Sequence, residues 1–170
     1  IARISGGTTT NIIPGTVEIE GTFRTVSAKT RRLMGELVDR VVSGVAAAHG
    51  TTVELGIVPG YPVTVCDPGV TEWVRGLAAD LAGEASVLDL EQPIMGAEDF
   101  SYVTERVPGM MAFLGACPPS VDPATGPQNH SDLVMFDEPS MSLGVALYAA
   151  AALDFLSVPP GRAAIGRGRP

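Results

Sequence analysis

The stretch Val17-Glu18-Ile19-Glu20-Gly21-Thr22-Phe23-Arg24 decides how the first third of the chain is read. Val17, Ile19, Gly21 and Phe23 alternate with Glu18, Glu20, Thr22 and Arg24. Successive side chains of a strand point to opposite faces, so this period of two predicts a half-buried strand with one wet face. Just downstream, Ser27 offers a side-chain oxygen to the orphan N–H groups of a helix start. Leu33, Met34, Leu37, Val38, Val41, Val42 and Val45 then recur at helical spacing, and His49-Gly50 supplies a stop. From Thr51 to Val58 the alternation returns through Val53, Leu55 and Ile57, predicting a third strand. Upstream, residues 1–5 are strand-like and run into Gly6-Gly7-Thr8-Thr9-Thr10-Asn11, where paired glycines open backbone conformations closed to other residues. Ile12-Ile13-Pro14-Gly15 then turns the chain. Strand, strand, helix, strand is the order of the βαββαβ split unit without its opening strand and helix. Together with the missing initial methionine, this gives the expectation of a chain truncated at the front, beginning inside a longer protein.

Beyond Tyr61-Pro62-Val63, read as a linker, the pattern changes to short strands alternating with helices. Val70, Trp73, Val74, Leu77 and Leu81 share one face of a helix expected over about 69–81. Val87-Leu88 reads as a short strand, and a second helix is expected to start near Glu98-Asp99. Met110 to Leu114 is a continuous apolar run, the mark of a strand buried on both faces. A long Ala-rich helix follows to about Leu156, with Pro139 in its permissive first turn. This half reads as part of an open α/β sheet. No internal repeat is visible.

Composition sets bounds. The 170 residues are 45% hydrophobic and 18% charged with a mean hydropathy of +0.26, as in ordinary soluble globular proteins. No apolar run reaches about 18 residues, so no membrane span is expected. Cys66 and Cys117 are too few for a disulfide framework and too far apart for a zinc knuckle; a reducing, cytoplasmic setting fits. The net charge is −8, and three arginines with no acids lie from Ser157 onward, leaving −11 on residues 1–156. Such a body is a poor partner for nucleic-acid phosphates. Residues 157–170, rich in Pro, Gly and Arg, read as a disordered tail.

The second informative stretch is Pro127-Gln128-Asn129-His130-Ser131-Asp132-Leu133-Val134-Met135-Phe136-Asp137-Glu138. It places His130 in a polar loop ahead of a helix start. Imidazole is a common ligand for zinc-like ions and titrates near neutrality, yet a loop histidine also serves as a solvated or hydrogen-bonded side chain. His49, at a helix end, has a structural reading, because a cation there meets the negative end of the helix dipole.

Several segments resemble one family in order and spacing. Gly6-Gly7-Thr8-Thr9-Thr10-Asn11-Ile12-Ile13-Pro14, with Gly21-Thr22-Phe23-Arg24-Thr25, is similar to the lid or dimerisation domain of the dinuclear metallo-amidohydrolases, which include aminoacylase, hippurate hydrolase and the auxin-conjugate amidohydrolases. Met95-Gly96-Ala97-Glu98-Asp99-Phe100-Ser101 resembles their glycine–acid–phenylalanine loop. Asn129-His130-Ser131 with Phe136-Asp137-Glu138 resembles their C-terminal metal-histidine segment. The resemblance runs from Ile4 to Leu156.

The resemblance implies an α/β architecture: an α+β lid of ferredoxin-like type over residues 1–63, then the C-terminal part of an α/β zinc-exopeptidase-like catalytic domain over 64–156. It implies a metal-dependent amidohydrolase whose substrates are N-acyl amino acids or related small amides, and a homodimer formed through the lid. It makes His130 a ligand to one of two divalent ions (zinc, manganese or cobalt in the complete enzyme). Asn11 and Arg24 become substrate-binding residues that reach the carboxylate or the acyl carbonyl. Arg24 equally suits a wet strand face paired with a glutamate, and Asn11 equally suits a turn. Glu98 and Asp99 either orient His130 or complement a helix dipole.

The family's remaining ligands and its general-base glutamate have no counterpart in these residues. The catalytic residue is therefore expected upstream, and this chain alone is expected to be inactive and to bind no metal tightly. The competing reading is a non-catalytic dimerisation or binding module derived from the lid.

Overall fold

The computed structural model describes residues 1–157. The chain divides into two compact units, one built from Ile1–Val63 with Pro93–Ala97, the other from Thr64–Gln92 with Glu98 onward.

In the first unit, strand β1 (Arg3–Gly6) pairs antiparallel with β2 (Val17–Glu20), bringing Arg3 opposite Glu20 and Gly6 opposite Val17. Arg3 clamps the pair: its Nε donates to Glu20 at 2.8 Å, and its Nη2 reaches Glu18 and Glu20, each at 2.9 Å. Gly6 is required here, because a Cβ at this position would lie 2.9 Å from Val17 Cγ2 and 3.0 Å from the Thr16 carbonyl. Helix α1 (Ala28–Ala48) starts where expected, with Ser27 Oγ accepting from the Thr30 N–H. It ends at His49 and Gly50, whose φ of +65° suits a residue without Cβ.

Three expectations for this unit fail. The alternating face of β2 is exposed on both sides, Val17 and Ile19 included. Only 17–20 of the predicted 17–24 is strand. Residues 51–58 form no strand, so the sheet among the described residues has two strands and the ferredoxin-like lid is not completed. A period of two becomes a strand only when a neighbour takes its backbone N–H and C=O groups. Here side chains hold the segment to α1 instead: Arg31 donates to the carbonyls of Gly60 and Tyr61, and Ile57 leans on Gly35.

In the second unit, α2 (Pro68–Ala82) begins at the Asp67 cap, whose carboxylate accepts from the Val70 N–H at 2.9 Å, with Pro68 in the first turn. Val70 is the buried hydrophobic residue among those described. Trp73, Val74 and Leu77 are half-buried on the same face, whereas Leu81, expected to join them, is exposed. A short 3₁₀ turn (Glu84–Ser86) precedes Val87-Leu88, which form no strand where one was expected. Helix α3 (Ser101–Thr104) is a single turn starting just after Glu98-Asp99. Helix α4 (Ser140–Ser157) packs on α2, and Gly144 lets it approach Leu114, whose Cδ2 would sit 3.1 Å from an added Cβ. Pro139 lies one residue ahead of α4, and Ser157, assigned to the tail, is its last residue. The rest of the expected tail lies outside the described residues.

Met110–Leu114 is not a strand. Met110 and Met111 are half-buried while Phe113 and Leu114 are exposed, since no second strand of the expected open sheet flanks the run. The architecture is mixed α/β in content, four helices and a small sheet among the described residues. One expectation from composition also changes. With a mean hydropathy of 1.4, the 18-residue α4 is long and apolar enough, by length and composition only, to cross a membrane.

Candidate functional site

The two units divide the residues singled out above. Asn11 and Arg24 belong to the first; Glu98, Asp99 and His130 belong to the second.

Asn11 sits on the exposed loop after β1, where its side-chain oxygen accepts from the Thr9 hydroxyl at 2.5 Å. Its N–H also points at that hydroxyl, at 3.4 Å. Gly7, at φ +79°, opens the loop. Beside it lies a shallow depression of about 270 Å³ lined by Gly7, Thr8, Ile12, Ile13, Pro14 and Thr16, among others. Arg24 follows the end of β2, and its Nη1 donates to the carbonyl of Met95, 71 residues on and drawn into the same unit. The cross-strand glutamates go to Arg3, not to Arg24.

In the second unit, Glu98 starts α3. Its carboxylate accepts from the Phe100 N–H at 3.0 Å, and its carbonyl from the Ser101 hydroxyl at 2.6 Å. Ser101 is fully buried by this arrangement. Asp99 is exposed, with its carbonyl taking the Tyr102 N–H at 3.0 Å. The Glu98 carboxylate thus serves the backbone just ahead of α3, whereas Asp99 contributes only its carbonyl there. Neither makes a hydrogen bond with His130 among the described residues.

His130 is exposed and has φ +74°, the positive-φ non-glycine residue of the described chain. A left-handed conformation costs a residue with a Cβ about 1 kcal/mol or more. Local bonds hold the loop in place: the His130 N–H donates to Asn129 Oδ1 at 3.2 Å, Ser131 N–H to the Gln128 carbonyl at 3.0 Å, and Asp137 N–H to the Ala116 carbonyl at 2.8 Å. The imidazole has no protein partner among the described residues. No three His, Cys, Asp or Glu side chains among them gather closely enough to hold a metal ion. A zinc-like site needs three or four donors, so these residues do not by themselves fit a metal centre, still less two.

One ion pair of the second unit was not singled out from the sequence. Arg75 on α2 bonds Asp89 and, with Glu72, Gly76, Ala79, Glu84 and Val87, lines a depression of about 290 Å³. The hydrogen bond from Arg75, and then its charge, hold the Asp89 carboxyl below the usual aspartate value. The same bond raises the guanidinium. Nothing in the spacing of residues 75 and 89 announces it, since the 3₁₀ turn brings them together.

Comparison with known proteins identifies the family. The family described as peptidase family M20/M25/M40 matches residues 5–154. Thermostable carboxypeptidase 2 of Saccharolobus solfataricus is 33% identical over 156 residues, covering 91% of this chain and 38% of that protein. The IAA-amino acid hydrolase ILR1-like 4 of Arabidopsis thaliana is 28% identical, covering 92% and 36%. N-acetyl-L-cysteine deacetylase of Bacillus subtilis is 34% identical over 116 residues, covering 68% and 27%. The chain thus spans well under half the length of these relatives. No solved structure gives a significant match.

Proposed function

Because this chain belongs to peptidase family M20/M25/M40, we propose that it is the lid and C-terminal part of a hydrolase that cleaves the amide bond of N-acyl amino acids or related small conjugates. The observation that carries this reading is the match across residues 5–154, which runs through both compact units in order. Its relatives bear the names of a carboxypeptidase, a hydrolase of IAA-amino acids and a deacetylase of N-acetyl-L-cysteine. Their common chemistry is an amide linking an acyl group to an amino acid.

In this reading the chain supplies binding groups. Arg24 takes the substrate carboxylate with a planar fork of donors, and Asn11 donates to the acyl carbonyl. His130 contributes one imidazole to a pair of divalent ions (zinc, manganese or cobalt), with Glu98 and Asp99 of the same unit as candidate orienting acids. Because these residues do not complete a metal site, the general base and the remaining ligands are assigned to residues outside this chain, and the chain by itself is inactive. A second copy pairs through the open edges of the β1–β2 sheet, where unpaired backbone groups are exposed. The charge balance speaks against nucleic acid, and the two unpaired cysteines fit a cytoplasmic setting.

The gap in the ligand set favours one second reading: a binding or dimerisation module with no chemistry of its own. A chimera separates the two. In thermostable carboxypeptidase 2 the matched segment is replaced by residues 1–157 of this chain. Turnover of N-acyl amino acids that is lost on His130→Ala supports the hydrolase reading. A folded, metal-loaded chimera without turnover supports the module.

A further inference from the structure

Arg24 is held by one of its donors, and the others have no protein partner among the described residues. Its Nη1 donates to the Met95 carbonyl, within the unit that takes in Pro93–Ala97. A guanidinium grips a carboxylate with two parallel N–H groups, either Nε with Nη2 or the two Nη groups together. The bond to Met95 therefore occupies a donor outside the Nε/Nη2 edge, and that edge has no protein partner among the described residues.

The neighbouring arginines differ. Arg3 spends Nε and Nη2 on Glu20 and Glu18, Arg31 spends both Nη groups on the Gly60 and Tyr61 carbonyls, and Arg75 is paired with Asp89. Arg24 is instead anchored by a neutral backbone acceptor from a distant segment. Such an acceptor cannot be protonated away and does not neutralise the charge it orients.

We propose that the Met95 carbonyl is a positioning group for Arg24: it fixes the rotation of the guanidinium so that the Nε/Nη2 edge is a preset receptor for the planar carboxylate of an N-acyl amino acid. The ligand class rests on the functional reading above; the anchoring itself does not. An arginine side chain has several rotatable bonds. One that is already ordered loses less freedom on binding, so the same contacts give more affinity. The specificity that follows is for carboxylates over the corresponding amides, since an amide offers only one acceptor oxygen to the fork.

The test uses this chain with N-acetylglycine and N-acetylglycinamide as probes, followed by nuclear magnetic resonance. The Gly96 nitrogen shares its peptide group with the Met95 carbonyl, so its ¹⁵N resonance reports the anchoring bond directly. Arg24→Ala should move that resonance while leaving distant signals in place. Replacing Gly96 by glycolic acid converts the Met95 carbonyl into an ester carbonyl, a weaker acceptor, without altering any side chain. This variant should bind N-acetylglycine several-fold more weakly, with N-acetylglycinamide unaffected. Arg24→Lys, which keeps the charge but loses the fork, should lose about tenfold on the carboxylate.

Carboxylate affinity unchanged in the ester variant overturns the positioning role. A Gly96 resonance unmoved by Arg24→Ala overturns the anchoring. A chain that binds neither probe overturns the receptor, whereas the amide-hydrolase reading stands or falls on the turnover of the chimera.

Discussion

Trp73 of α2 and Asp154 of α4, 81 residues apart in sequence, are joined by a 2.7 Å hydrogen bond from the indole Nε1 to the carboxylate. The Trp73 ring also meets Phe155 at 6.2 Å between centroids, tilted by 51°, within the separation over which aromatic pairs attract. One tryptophan thus ties the two long helices of the second unit through a polar and an apolar contact at once. Asp154→Ala should destabilise the unit by about 1 kcal/mol, below the usual range for hydrogen bonds to charged groups because the pair is exposed. Phe155→Ala should cost about 0.5–1.5 kcal/mol for the ring pair alone. Urea denaturation followed by the fluorescence of this single tryptophan checks both. The double variant should be non-additive because the two contacts share a partner.

Asp89 should titrate below an ordinary aspartate, and Arg75→Gln should bring its midpoint back to the usual value. The sign follows from linkage. A carboxyl depressed in the folded state contributes stability above its unfolded pKa and loses it as the pH falls through the folded value. The effect is therefore confined to the acid side, below about the ordinary value of 3.8, and the contribution is flat from there to neutrality. Carboxyl ¹³C shifts recorded against pH in the wild type and Arg75→Gln measure it. An unchanged Asp89 midpoint would falsify the pairing.

Titration calorimetry with zinc, cobalt and manganese should show no binding of micromolar or tighter affinity to this chain, and His130→Ala should leave the isotherms unchanged. The reason is donor number: one imidazole in a loop against the three or four that a stable site needs. Tight binding abolished by the substitution would mean that other residues of the chain complete the site.

Val70→Ala should destabilise the second unit by about 1–2 kcal/mol, the transfer energy of the lost methyl groups where the side chain is buried. Tyr148→Ser on α4 should fall within about 0.5 kcal/mol, since Tyr148 is 85% exposed. Thermal melts of the two variants side by side make the comparison. Equal losses would show that Tyr148 is covered in solution.

Sedimentation should reveal a dimer that Glu18→Pro, on β2, converts to monomer, because proline removes a backbone donor and cannot join a ladder. A dimer indifferent to this change would place self-association elsewhere on the chain.

Helix starts and stops were legible from residues alone. Ser27 before α1, His49-Gly50 after it, and the apolar face of α2 through Val70, Trp73 and Leu77 all act within a turn or two of themselves, and the sequence writes such local chemistry directly. The resemblance to the family was legible for a similar reason, as short runs of residues in order along the chain. Strands were not. Val53, Leu55 and Ile57 alternate as faithfully as Val17 and Ile19, yet only the latter segment found a partner backbone, and pairing is a property of two segments at once. The candidate residues follow the same division. That His130 sits in a loop was readable; its positive φ, and the lack of a ligand cluster among the described residues, were not. That Arg24 had a fork to offer was readable as well. That Met95, 71 residues away, takes one of its donors was decided only by the tertiary fold, because a side chain's free edge depends on which distant carbonyl the chain brings beside it.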